Sequence, residues 1–371
     1  MSCAFVLDAA CVPGGNVLEG VTTVTLRPQR NVAVEVAPPP LEDASKGSSR
    51  IGVNAVSPHL DELDMTLIRL LMADGRMSNR ELAAAAGVSN ATVGARIRRL
   101  VDDRVLIFTA LFDWEAAGYE WFAIAKFGVE GRSPRAVAEE LASLPHCQAV
   151  ALVFGDYDIL AYFLVTNRTE LHRLIEAGLA SVAGISSVSI DLATESTVTG
   201  LGRQFFLARG PTSITMPNPV VDLDELDIGI MHELLSDGRQ SSRNIARRLD
   251  VSEGTVRARI HAMVAGGLMR IVAMVEPFAL GLIGVVASVG LRVERAQTAT
   301  VIAKIRELPQ TIFVAVTVGS ADISVTIGAA DQSDMLDIVL NQIRTLPGVR
   351  STETLQMVEV VRFSPYLKRL D

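Results

Sequence analysis

Leu60-Asp61-Glu62-Leu63-Asp64 is spelled again as Leu223-Asp224-Glu225-Leu226-Asp227, and the chain after each copy keeps step with the other. The shift is 163 residues, from 60 to 223. At that shift Asp74-Gly75-Arg76 falls on Asp237-Gly238-Arg239, Val88-Ser89 on Val251-Ser252, Thr92-Val93 on Thr255-Val256, Arg96-Ile97 on Arg259-Ile260, and Gly118 on Gly281. A repeat this long marks a duplicated set of domains rather than a solenoid of short units.

From Leu60 the hydrophobic period is helical. Leu63, Leu67, Leu70 and Leu71 share one face, and acidic Asp61, Glu62 and Asp64 suit a helix N-terminus. Asp74-Gly75 ends that helix. Ser78-Asn79-Arg80-Glu81 spells a capping box for a short helix ending at Gly87, and Ser89 caps a third helix buried through Val93, Ile97 and Leu100. Three short helices with a tight turn between the second and third make a helix-turn-helix. In the second copy Ser241 and Ser252 are the caps, and Asp250 takes the turn position of Gly87, where a left-handed backbone is expected and Asp is tolerated better than most residues.

After each triplet the period becomes two. Strands are expected at Phe122–Val129, Ala149–Phe154, Ile159–Val165 and Ile185–Ala193, with helices through Val137–Leu144 and Leu171–Leu179. The second half matches with strands at Val285–Val293, Phe313–Val318, Ile323–Ile327 and Val349–Val358, now at a shift of 164 because Gly155 meets Gly319. This βαββαβ order implies a four-stranded antiparallel sheet with two helices on one face, the ferredoxin-like arrangement, its other face left for a partner. The fold class is α+β: two copies of a winged-type helix-turn-helix (57–110 and 220–273), each followed by a ferredoxin-like module (120–200 and 283–363). A linker is expected over 201–219, and the tail 1–56, closing in Pro38-Pro39-Pro40, is read as disordered.

The composition sets limits. Hydrophobic residues make up 49% and aromatics 5%, so the cores must be built mainly from Ala, Val, Leu and Ile. A net charge of −8 excludes a protein that coats nucleic acid through general positive charge, so any DNA contact must be local. Cys3, Cys11 and Cys147 have no metal spacing, as in a reduced cytosolic chain. The expected location is cytoplasmic, with no membrane span.

The L-D-x-x-D phrase, Leu82-Ala83, Val88-Ser89, Thr92-Val93, Arg96-Ile97 and the turn Gly155-Asp156-Tyr157-Asp158, with their second-half equivalents, resemble the leucine-responsive regulator/AsnC family. The resemblance covers both halves and looks like two family members fused head to tail. It implies a sequence-specific DNA-binding transcription regulator whose partners are double-stranded DNA and an amino acid or other small effector. It also implies a homo-oligomer formed through the ferredoxin-like modules, and no cofactor.

The residues expected at DNA are Ser89, Asn90, Ala91, Arg96, Arg98 and Arg99 in the first copy, and Ser252, Glu253, Arg257, Arg259 and His261 in the second. Small residues admit the helix to a groove, while Arg reads guanine edges or holds phosphate. Arg96 and Arg259 flank the buried face and suit either phosphate or an internal ion pair. By the resemblance, Gly155, Asp156, Tyr157 and Asp158 face an effector, as do Gly319, Ser320 and Asp322. The second turn lacks Asp156 and Tyr157, so two unequal sites are expected.

No catalytic or metal residues are assigned. His146-Cys147 falls in a loop with Gln310-Thr311 opposite it, and His59, His172, His232 and His261 share no zinc-like spacing. The alternatives are a regulator with one working reader, and an enzyme resembling the sirohaem decarboxylases, which share this architecture. The second is disfavoured because Ala149–Val165 and Phe313–Ile327 contain no His or Arg.

Overall fold

The structure, a computed structural model, describes residues 60–363 apart from 200–201, 203–212, 215–218, 279 and 282, together with 366–367. The tail expected over 1–56 and most of the linker expected over 201–219 lie outside the described residues.

The first reader consists of α1 (Glu62–Ala73), α2 (Asn79–Ala86) and α3 (Asn90–Asp102). Asp61 and Ser78 form capping boxes with Asp64 and Glu81, and the Ser89 hydroxyl accepts from Thr92 N at 3.1 Å. Gly87 takes φ 69° in the turn. Leu67, Leu71, Leu82, Val93 and Leu100 form the core between the helices.

After α3 comes β1 (Leu106–Asp113), then the first βαββαβ module: β2 (Trp121–Val129), α4 (Pro134–Ser143), β3 (Cys147–Phe154), β4 (Ile159–Val165), α5 (Arg168–Arg173) and β5 (Ile185–Val198). A wider helical turn, Leu174–Gly178, continues α5. A short strand, β6 (Ser213–Ile214), precedes the second reader, α6 (Glu225–Ser236), α7 (Ser242–Arg248) and α8 (Glu253–Ala265). Asp250 adopts φ 54°, the left-handed turn expected of it. Then follow β7 (Met269–Val275), β8 (Val285–Val293), α9 (Thr298–Glu307), β9 (Thr311–Val318), β10 (Ile323–Ala329), α10 (Gln332–Asp337), β11 (Val349–Phe363) and β12 (Tyr366–Leu367).

Two features join the halves. First, β1 and β7 pair antiparallel along their whole length, from Leu106 opposite Val275 to Phe112 opposite Met269. The first helices of the readers pack across this ribbon, α1 on β7 and α6 on β1, so each reader rests on the strand that follows the other. Gly238 N donates to Phe108 O at 2.9 Å, and the Thr109 hydroxyl to Leu235 O at 2.9 Å. Arg239 crosses from the second reader: its guanidinium lies 4.1 Å from the Phe108 ring centroid and donates to Met77 O at 2.6 Å.

Second, the two ferredoxin-like sheets meet edge to edge on both sides. Their strand orders are β3-β4-β2-β5 and β9-β10-β8-β11, and β5 pairs with β9 while β11 pairs with β3. Eight antiparallel strands thereby close into a barrel, which leaves none of the eight as an open edge. The helices lie outside over two separate cores: Phe127, Val137, Leu141 and Phe163 in the first half, Val289, Val301, Ile305 and Ile338 in the second. Inside, Phe122, Ile124, Leu160 and Leu164 meet Val286, Ala315, Leu355 and Met357. The sheet face expected to await a partner is therefore covered by the other half of the same chain.

Candidate nucleic-acid interface and ligand-facing turns

Each recognition helix is fixed to the phrase that opens its reader. Arg96 on α3 forms ion pairs with Asp61 and with Asp64, the latter at 3.2 Å, and Arg99 also reaches Asp64. Asp64 is fully buried, so its charge requires these partners. Arg259 on α8 repeats the device, 2.7 Å from Asp224 and 2.9 Å from Asp227. Hydrogen bonding to the Asp64 backbone and to Arg96 holds the Asp61 carboxyl below its usual range, and the Asp227 backbone does the same for Asp224. Of the two roles weighed for Arg96 and Arg259, the structure shows the internal ion pair. Arg99 joins them, although its side chain stays about two-fifths exposed (43%).

The other residues expected at DNA lie on the exposed side. Asn90, Ala91 and Arg98 are exposed on α3, as are Arg257 and His261 on α8. Arg257 pairs with Glu253 one turn back, and the Ser252 hydroxyl caps α8 through Thr255 N at 3.0 Å. Arg239 is turned inward: burial lowers its pKa, and it serves the contact between readers.

The two turns come to the same end of the barrel. In each, the last Asp braces its hairpin: Asp158 accepts from Val129 N and Asp322 from Val293 N, both at 2.8 Å. Gly155 and Gly319 are pressed against the other half, and a Cβ there would meet Thr354 O at 2.8 Å or Ile190 O at 2.8 Å. Beyond this the turns differ. The buried Asp191 carboxylate sits in the second turn, accepting from Ser320 N, from Ala321 N at 3.2 Å and from the Ser320 hydroxyl at 3.0 Å. The Lys126 ammonium completes the cluster. It donates to Ser320 Oγ at 2.8 Å, pairs with Asp191 at 3.5 Å and with Glu353, and lies 5.2 Å from the Tyr157 ring centroid. In the first turn Asp156 is exposed and Tyr157 half-buried.

Lys126, Asp191 and Glu353 escaped the sequence reading. The available signal was a single Lys within the otherwise uncharged strand Trp121–Val129. His146 and Cys147 form no reactive pair: burial pushes the Cys147 thiol up to about 12, while His146 Nδ1 faces the Tyr119 hydroxyl at 3.3 Å. Among the described residues, no group of three or more His, Cys, Asp or Glu is arranged to hold a metal ion, and no helix is long and apolar enough to cross a membrane.

Two helix-turn-helix readers on one ribbon, carried by two ferredoxin-like modules closed into a barrel, define a class of tandem DNA-reading regulators. The AsnC-type helix-turn-helix domain matches residues 60–101 and 223–264, and the Lrp/AsnC ligand binding domain matches 123–200 and 286–366. The chain belongs to the Lrp/AsnC family of transcriptional regulators. An uncharacterised HTH-type transcriptional regulator of Pyrococcus abyssi is 37% identical over 147 residues, which is 39% of this chain and 93% of that protein. The HTH-type transcriptional regulator FL11 of Pyrococcus horikoshii is 33% identical over 34% of this chain and 83% of its own length. Among solved structures, the siroheme decarboxylase NirDL superposes with a TM-score of 0.57 over 83% of this chain and 94% of its own, at 14% identity. At that identity the likeness concerns the fold alone.

Proposed function

We propose that one chain of this regulator works as a built-in dimer: its two readers take two half-sites, and the barrel serves as their common base. The observation that carries this is the β1–β7 ribbon, across which α1 and α6 are exchanged. It fixes the separation of α3 and α8 without a second chain. Ala91 and Arg98 on α3, with Arg257 and His261 on α8, are the base-facing residues, and Ser89, Asn90, Ser252 and Glu253 begin the two helices beside the groove. Arg96, Arg99 and Arg259 hold the helices in position through their aspartates. The protein acts by binding DNA and not as an enzyme. Supporting this, the relatives matched across most of their length are named regulators, whereas the decarboxylase shares only architecture.

The effector arm of the proposal is asymmetric. The Asp191 carboxylate and the Lys126 ammonium fill the Gly319–Asp322 turn as a carboxylate and an amine from a free amino acid would. The turn at Gly155, Asp156, Tyr157 and Asp158 is then the one left for an effector. Assembly beyond one chain would use the barrel end where Phe154 (70% exposed) and Val318 (66% exposed) occupy matching positions just before the two turns.

Footprinting on genomic DNA tests the reading. The protein should protect two half-sites per chain, with affinity falling steeply as salt rises, because each phosphate contact releases counterions. Arg98→Ala should erase one half of the footprint, and Arg257→Ala with His261→Ala the other. Loss of both halves with either variant would refute independent readers, and salt-insensitive binding would refute the phosphate contacts.

A further inference from the structure

At the junction of the two halves lies a pocket of about 120 Å³ that opens to solvent. Trp114, Phe122, Tyr162, Phe313 and Phe363 all line it, five aromatic residues in a chain with only 2 Trp, 4 Tyr and 12 Phe. Their arrangement is ordered. Phe122 stacks on Trp114 at 4.8 Å and on Tyr162 at 5.5 Å between centroids, and meets Phe313 edge to face at 5.6 Å. Small or aliphatic residues, among them Ala149, Ala151 and Val360, complete the wall. Gln148, Thr326 and Tyr162 are its polar members, the Tyr162 hydroxyl sharing hydrogen bonds with Thr326 and Ser288, and none of the described lining residues is charged.

We propose that this pocket is a binding site for a small neutral molecule with one aromatic ring and one hydrogen-bonding substituent. Volume limits the size: about 120 Å³ falls short of the roughly 150 Å³ apolar cavity that admits benzene, so the pocket takes at most one small ring, with its substituent toward the open side. Ring geometry sets the shape: stacked and edge-on faces favour a flat π system. Charge sets the class, because none of the described residues that line the pocket offers a counter-ion to a carboxylate or ammonium. A free amino acid is thereby disfavoured here, which separates this pocket from the two turns at the barrel end, where charged partners abound. The site does not depend on the reading of those turns.

Its position also gives it a route to the readers. Trp114 directly follows Asp113, the last residue of β1, whose N–H donates to Leu268 O at 2.9 Å just before β7. Phe363 ends β11, and β12, three residues later, pairs with the same end of β1. Two walls of the pocket thus continue into the ribbon on which both readers rest.

The test uses the full chain carrying Trp121→Phe, which leaves Trp114 as its one tryptophan, and phenol as the probe. Phenol should change the Trp114 emission saturably and raise the thermal transition of the wild-type chain. L-phenylalanine should bind about ten-fold more weakly or worse at this site. Ala151→Leu and Val360→Phe, made separately, should fill the pocket and remove the phenol response while retaining a cooperative thermal transition. No response at millimolar phenol, an equal response to L-phenylalanine, or a response unchanged in a folded pocket-filling variant would each overturn the site.

Discussion

The inner faces of the two ferredoxin-like modules descend from one pattern and have become opposites. Phe122, Ile124, Lys126, Leu160, Tyr162 and Leu164 line the first, and at the shift of 164 they stand against Val286, Ser288, Gly290, Ser324, Thr326 and Gly328 in the second. At every one of these positions the first half carries the larger side chain. On the flanking strands the sizes run the other way, with Ala149 and Ala193 against Phe313 and Met357, so the two inner faces are complementary in shape, and an interior packed as densely as an organic crystal favours the mixed barrel. The same rule governs charge: Lys126 occupies the space that Gly290 leaves and finds Asp191 on its own half, with Ser320 and Glu353 on the other.

The largest expected effect breaks the comparison outright. Expressed as separate fragments, the first and second halves should each fail to form a stable self-dimer, and mixing them should restore one complex of both, as read by sedimentation. A stable homodimer of either half would show that the size difference carries no specificity.

Lys126→Met comes next. It leaves the 2% exposed Asp191 without its ammonium, and a broken buried pair costs about 3–5 kcal/mol. Changing Asp191 to Leu as well, the residue at the matching position 355, should recover much of that loss in urea melts. Without such recovery, the penalty would lie in packing rather than charge.

The readers sharpen the same contrast at smaller scale. Asp64 holds both Arg96 and Arg99, whereas Asp227 holds Arg259 alone, since Ala262 stands where Arg99 does. Asp64→Asn should therefore destabilise by about 2 kcal/mol and Asp227→Asn by about half as much, because these arginines are partly screened by solvent. Equal losses from the two variants would erase the distinction.

The smallest effect concerns pH. Burial lowers the pKa of His146 below the ordinary 6.5, although Glu170 opposes this. The unfolded chain then binds the proton first. Stability should be full above pH 6.5 and decline as pH falls below it, by less than about 1 kcal/mol. His146→Gln, which restores the residue type of position 310, should flatten that decline in thermal melts at pH 5.5 and 7.5.

Much of this was legible along the chain. Helix periods, the caps at Ser78, Ser89, Ser241 and Ser252, and the turn at Asp250 are local matters, and local chemistry decides them. The strands Ile159–Val165 and Val285–Val293 were delimited to the residue by their apolar runs. What escaped depends on pairing over distance. Leu106–Asp113 is buried along nearly its whole length, so it lacks an alternating pattern, and its partner begins at Met269. The barrel closure at β5–β9 and β11–β3 leaves no mark in either half read alone. The Lys126 cluster becomes visible only when both halves are set face to face.

One consequence of the β1–β7 ribbon concerns direction. Two identical readers on a two-fold axis meet a duplex the same way from either end. This ribbon keeps the axis but carries α3, with Gly94 and Arg98, on one side and α8, with Arg257 and His261, on the other. With both readers on the duplex as proposed, a molecule built so has a heading along DNA, and an upstream and a downstream side to offer whatever binds next to it.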